Sequence, residues 1–180
     1  MLPRPARRAA TAMPTLITRD EALRRIIEEG GHPTCLMCAI VERKVGEVHV
    51  IHEDDEHLVM LPRYVRRWGH VMVVPRTHVT TYSQIDPALW ARTGRLAHQT
   101  ARMVERVLQP LRCYMASTGS TAGERTQTSM HLHVHVIPLG DPDDKPSDVF
   151  SWQDGVLVGD PGEWHDLQSR YREAWPACAV

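Results

Sequence analysis

The chain has 180 residues with 21 basic and 22 acidic side chains, 11 histidines, 4 cysteines and a single phenylalanine, for a formal net charge of −1. That length suits one domain burying roughly 70% of its unfolded surface without disulfide staples, and the charge balance excludes the strongly basic surface of an ordinary nucleic-acid binder. No run approaches the roughly 18 apolar residues of a membrane span and no short apolar stretch follows the first arginines as a secretory signal requires, so a soluble cytoplasmic protein is expected.

Residues 1–17, with Arg4, Arg7 and Arg8 and no acid, are predicted to be a disordered extension. Thr18 with Glu21 three positions on has the pattern of a helix cap. Leu23, Ile26 and Ile27 then keep helical spacing until Gly30-Gly31, which predicts a short first helix. Val48 to Ile51, Leu58 to Leu61 and Val71 to Val74 are short apolar runs. The acidic turn Glu53 to Glu56 and the arginine-rich loop Arg63 to Arg67 separate them, as expected for consecutive antiparallel strands. Asp86-Pro87 opens a long helix carrying Leu89, Leu96, Met103, Val104 and Val107 up to Pro110. Cys113 to Thr118 and His131 to Pro138 read as two further strands, and Gly155 to Gly159 as a short last one. The predicted class is α+β: an antiparallel sheet with one long and one short N-terminal helix in a domain over 18–139. The acidic segment 140–180 is expected to pack on the domain or across a dimer through Trp152, Trp164, Tyr171 and Trp175.

Chemistry concentrates at His131-Leu-His133-Val-His135-Val-Ile137. Side chains alternate across a strand, so three imidazoles share one face at spacings of about 6.8 Å while the aliphatic residues take the other. A wet strand face, two ligands of a catalytic zinc and nucleophilic catalysis at phosphorus all accommodate that pattern, and the strand alone does not choose. Cys35-Leu-Met-Cys38 is likewise a redox dithiol or half of a zinc site, although the strand–helix–strand setting of a redox dithiol is absent.

The run His131 to Ile137 resembles the signature of the histidine-triad (HIT) family, His-Φ-His-Φ-His-Φ-Φ with Φ apolar. Cys35 to Cys38, the acidic turn, Gly69-His70 through Pro75-Arg-Thr-His78, and Gln127-Thr128 occur in the order seen in bacterial members, over about 105 residues from Cys35 to Pro138. The resemblance implies an antiparallel α+β fold, usually homodimeric, that hydrolyses or transfers nucleotide-type phosphates. It implies His133 as the nucleophile that forms a covalent intermediate at an α-phosphorus, with His135 beside the phosphate or leaving group. Gln127 and Thr128 are then phosphate contacts, and His70 is a histidine beside the triad. It also implies a structural zinc held by Cys35, Cys38, His78 and His131, which gives His131 a use apart from proton transfer. Two rival expectations are a HIT-fold module that binds phosphate without catalysis and an enzyme whose catalytic zinc takes triad ligands.

The match fails in places. Leu61-Pro62 stands where nucleoside-binding members place an Asp for the ribose hydroxyls, Ser120 replaces an Asn or Gln, and Thr126 replaces a Gly. Proline neither accepts such a hydroxyl with its side chain nor donates from its backbone. Arg63, Arg66 and Arg67 interleaved with Tyr64 and Trp68 form a loop suited to clamping a phosphate or stacking on a base, with Arg63 the expected substrate contact.

Overall fold

The computed structural model describes residues 14–31, 34–119 and 129–179. Five strands form one antiparallel sheet in the order β2-β3-β4-β6-β5: β2 (His49–Glu53), β3 (His57–Leu61), β4 (Val71–Pro75), β6 (Val134–Leu139) and β5 (Arg112–Ala116). The helices are α1 (Arg19–Gly30), α2 (Leu36–Val41), α3 (Pro87–Leu108), α4 (Pro146–Phe150) and α5 (Pro161–Ala174), followed by a 3₁₀ turn at Trp175–Cys178. A separate ribbon pairs β1 (Thr15–Ile17) with β7 (Val156–Val158).

Alternation along the strands assigns the two faces of the sheet. Val59, Leu61, Val71, Val73, Val134 and Val136 point to one side. They pack with Ala97, Met103 and Val104 of α3 and with Trp164, Leu167 and Tyr171 of α5. On the other side Leu58, Met60, Met72 and Val74 meet Cys35 and Met37, while Ile137 and Leu139 meet Val149. Both faces are thus covered, which is why every residue of β3 and β4 is buried. His135 projects from β6 on the second face, between the cluster under α2 and the cluster beside α4, and this interval holds the candidate site.

The helix ends follow the expected chemistry. Thr18 accepts from the backbone N–H of Glu21 at 3.2 Å and Gly31, at φ 64°, stops α1. The Glu21 carboxylate turns to Arg24 and Arg25 instead of back to the cap. Asp86 caps α3 through Leu89 N–H at 2.9 Å. The turn joining β2 to β3 is fixed by Asp54, whose Oδ1 accepts from the N–H groups of Glu56 and His57.

Several expectations are corrected. Residues 15–17 are not part of an unstructured extension, because β1 is held by the β7 edge; residues 1–13 lie outside the described residues. The last triad strand does not begin at His131. Continuing the β4–β6 register would place Pro75 opposite Leu132, and proline has no N–H to donate. The ladder ends at Val134, and Leu132 N–H bonds the Val79 carbonyl at 2.7 Å instead. Beyond these corrections, the arginine loop makes contacts that tie segments of the fold together. Arg66 reaches the carbonyls of Asp148 and Gly155, Arg67 pairs with Asp144, and Arg63 pairs with Glu29 at 2.9 Å.

The C-terminal segment docks on the domain through buried Trp164, Tyr171 and Trp175. His49 stacks on Trp164 and His52 on Trp175, with ring centroids 5.1 and 4.9 Å apart. An irregularity in β2 between Val50 and His52 turns the Val50 carbonyl out of the ladder, where Gln168 and Arg172 of α5 both donate to it.

Candidate active site and metal site

A carbonyl oxygen only accepts hydrogen bonds, and that fixes the proton positions of four imidazoles. Nδ1 of His133 lies 2.6 Å from the His131 carbonyl and carries the proton, which leaves the lone pair on Nε2. That Nε2 is 3.0 Å from Nε2 of His135, so His135 donates to it. Nδ1 of His135 then accepts from Nε2 of His70 at 2.9 Å. One tautomer assignment satisfies the whole chain His70 to His135 to His133 to the His131 carbonyl with every ring neutral. The β4–β6 register brings it about: Met72 is paired with His135, and His70 lies two residues earlier, just before β4. Gly69 sets His70 in place at φ 93°, where a side chain would run into Leu108 and the Tyr171 hydroxyl that donates to the Gly69 carbonyl.

Burial, reinforced by His133, pushes His70 down to about 3, and burial with His70 and His133 nearby holds His135 well below its ordinary value. Both are neutral at pH 7, as the tautomer chain requires. The unfolded chain binds protons on these rings below about pH 6.5 while the folded chain does not. The associated stability is fully present above pH 6.5 and is lost as the pH falls toward the folded-state value. For His70 alone the expected loss between pH 7 and pH 5 is about 2 kcal/mol, read from urea unfolding at the two pH values. A His70→Gln variant should show a correspondingly flatter dependence.

Nearby, Cys35, Cys38, His78 and His131 place four donor atoms within 4.8 Å of one another. A tetrahedral ion with bonds of about 2.3 Å to sulfur and about 2.0 Å to nitrogen sets its donors about 3.3–3.8 Å apart. Nδ1 of His131 is 3.6 Å from Cys35 Sγ and 3.5 Å from Cys38 Sγ, and Nδ1 of His78 is 3.3 Å from Cys38 Sγ. Nε2 of His131 donates to the Pro75 carbonyl at 2.7 Å, so its Nδ1 presents a lone pair toward both sulfurs. Backbone N–H of Cys38 points at Cys35 Sγ, as suits a thiolate. The donor set and spacing fit a metal ion. Among the described residues His133 and His135 are not part of this group.

A cavity of about 420 Å³ opens at the histidine chain. Its floor carries His70, Met72, His133 and His135, and Ser117, Thr118 and Ser129 lie along one margin. Arg63 lines it too, at the end held by Glu29. Gln127, Thr128 and Ser120, expected to contact phosphate or substrate, lie outside the described residues. Sequence reasoning missed the walls: Ile26 of α1, Leu36, Met37 and Ile40 of α2, Phe150 at the end of α4 and Trp152 just beyond it. Their apolar character was visible, but nothing local placed them over the triad.

The family described as HIT domain matches residues 43–141, more than half of the chain. The chain belongs to the HIT family. It is 30% identical over 105 residues, 58% of this chain and 70% of the relative, to an uncharacterized 16.1 kDa HIT-like protein of Mycoplasma pneumoniae. It is 26% identical over 105 residues to the protein named hit of Bacillus subtilis, again 58% of this chain and 70% of that one. Among solved structures, a hypothetical histidine triad nucleotide-binding protein of Sulfolobus tokodaii aligns at TM-score 0.64 with 23% identity, over 79% of this chain and 93% of that one. A Zn-bound histidine triad family protein of Mycobacterium smegmatis aligns at TM-score 0.60 with 24% identity, over 80% and 97%. These likenesses establish the α+β HIT fold. The two cysteines, α1, α2, α4 and α5 fall outside the matched residues 43–141.

Proposed function

We propose that the protein is a hydrolase or transferase of organic phosphates of the nucleotide type, acting through a covalent intermediate on His133. The observation that carries this is the tautomer chain, which leaves a neutral His133 with its Nε2 lone pair at the cavity and its Nδ1–H anchored on the His131 carbonyl. For a substrate R–O–PO₂⁻–X, Nε2 forms a bond to phosphorus as the P–X bond breaks and X leaves with the electron pair. The imidazole becomes positively charged in that step, and the carbonyl accepting from Nδ1–H stabilises the charge. His135 Nε2–H, directed at the reacting nitrogen in the free protein, is placed to donate to a phosphoryl oxygen or to X once substrate intervenes. Water or another acceptor then forms a new bond to phosphorus, the P–N bond breaks, and its electron pair returns to Nε2. The neutral state that burial imposes on His135 and His70 keeps the pocket free of a competing cation that would depress the nucleophile.

Cys35, Cys38, His78 and His131 would hold a structural zinc, which supplies a cross-link between α2 and the triad segment and leaves no open position for catalysis. The name of the Mycobacterium smegmatis neighbour supports this choice of metal. A cytoplasmic setting keeps such thiols reduced, and a homodimer is part of the proposal as the usual state of the family.

The test is to quench the enzyme during turnover of a nucleoside 5′-phosphoramidate or 4-nitrophenyl ester at neutral pH and to map the adduct by mass spectrometry. A nucleotidyl group on His133 is expected. A mass shift on another residue, or hydrolysis with no adduct in rapid-quench samples, overturns the mechanism.

A further inference from the structure

His70 lies just before β4, outside the ladder that places His135. Its ring is set by the Gly69–His70 peptide, and that peptide is held at both ends. The N–H, on His70, donates to the Arg67 carbonyl at 3.2 Å. The carbonyl, on Gly69, accepts from the Tyr171 hydroxyl at 2.8 Å. A carbonyl only accepts, so the phenol is the donor; burial pushes Tyr171 well above its ordinary value and keeps that proton in place.

Tyr171 belongs to α5, beyond the HIT match at 43–141. It is fully buried, and among the described residues the cavity is lined by His70, His133 and His135 but not by Tyr171. The apolar docking of α5 needs only the aromatic ring, and the helix is anchored separately by Gln168 and Arg172, which donate to the Val50 carbonyl. Its hydroxyl is therefore an added polar group, taken out of water for one bond at Gly69. Asp144, also beyond the match, pairs with Arg67, whose carbonyl holds the other end of the same peptide. The C-terminal segment thus bears on both ends of the peptide that carries His70.

The consequence runs along the histidine chain. A neutral imidazole carries its proton on one nitrogen or the other, and the partner at the opposite nitrogen decides which. His70 Nε2–H occupies the lone pair on Nδ1 of His135, which leaves the His135 proton on Nε2 beside His133. Without that donor the proton can sit on Nδ1, and Nε2 then presents a lone pair where it has to donate.

We propose that Tyr171 is a positioning residue for the histidine chain: through the Gly69–His70 peptide it holds His70 against Nδ1 of His135 and so keeps the His135 proton on Nε2. Its effect on rate rests on the catalytic reading given above; its effect on the tautomer does not.

Tyr171→Phe removes one oxygen and leaves the ring. In protein carrying ¹⁵N-labelled histidine, NMR of the wild type is expected to show His135 protonated at Nε2, and the variant a substantial share protonated at Nδ1. With thymidine 5′-(4-nitrophenyl phosphate), followed by release of 4-nitrophenolate, the variant should lose about tenfold in kcat with KM within about twofold. Arg172→Ala controls for loosened docking of α5: it should lower Tm while leaving the tautomer and kcat as in the wild type. In a His70→Ala background, removing the Tyr171 hydroxyl should cost nothing further in kcat, whereas a purely structural role costs the same in both backgrounds. An unchanged His135 tautomer in Tyr171→Phe overturns the inference, as does a loss of rate that Arg172→Ala matches or that persists in the His70→Ala background. The tautomer is read on the free protein, which separates the two failures. Absence of a His133 adduct in the wild type strikes the catalytic reading, while a tautomer shift in Tyr171→Phe still upholds the hold on His135.

Discussion

His133→Ala is expected to lower kcat/KM by about 10⁴- to 10⁶-fold toward any substrate the enzyme turns over, with the fold unchanged by circular dichroism and thermal melting. The size follows from losing the bond-forming atom and not from losing a contact. With no Nε2 at the cavity floor the two-step route is gone, and only the background attack of bound water remains. His135→Ala should be milder, roughly 10²- to 10⁴-fold, because the nucleophile persists and what disappears is the hydrogen bond from Nε2–H to phosphate or leaving group. The double variant should be scarcely worse than His133→Ala, since a donor that assists a step contributes nothing once the step is absent. Steady-state rates with a 4-nitrophenyl phosphodiester measure all three. If His133→Ala retains more than about one-hundredth of the wild-type rate, the nucleophile is elsewhere.

The same histidines show what local sequence could and could not reveal. Alternation of His131, His133 and His135 with aliphatic residues puts the imidazoles on one side; His133 and His135 do meet at 3.0 Å, whereas His131 precedes β6 and faces the two cysteines. The strand itself starts three residues later because of Pro75, a partner 56 residues before His131 whose missing N–H matters only once the register is known. His70 reaches His135 for the same reason: it depends on which strands pair. Helix α2 was not foreseen because six residues are too few to establish a helical period. Helix α5 does carry its signal, Asp160-Pro161 with Glu163 as a capping box and Trp164, Leu167 and Tyr171 at helical spacing, although its aromatic anchors are the more visible pattern. The structural partners of the arginine loop are invisible in local sequence. Asp144 and the carbonyls of Asp148 and Gly155 lie 77 or more positions away from Arg66 and Arg67. His49 and His52, unassigned in the sequence, serve the tryptophans that dock the C-terminal segment.

Removing one thiol of the metal group is expected to have the largest effect on stability. Cys35 is buried, and its Sγ faces His131 from one side while Cys38 faces it from another, so both sulfurs bear on the residue whose carbonyl anchors the nucleophile. Metal binding to such a donor set counts toward folding free energy, because the unfolded chain does not present four converged donors. Purified protein should contain one zinc per chain by elemental analysis, and Cys35→Ser or Cys38→Ser should reduce that content well below one. The expected loss of stability is about 3–5 kcal/mol, a fall in Tm on the order of 10 °C for a chain of this size. Treatment of the wild-type protein with a strong chelator should reproduce both the zinc loss and the lower Tm, and zinc added back should restore them; neither manipulation should move Tm in the cysteine variants. Activity should fall as well, since loosening His131 also frees the carbonyl that holds His133 Nδ1. Unchanged zinc content in both cysteine variants would remove the cysteines from the ligand set and with them the structural role of the ion. Full activity after zinc loss would separate the metal from the alignment of His133, leaving the β6 register alone to position the nucleophile.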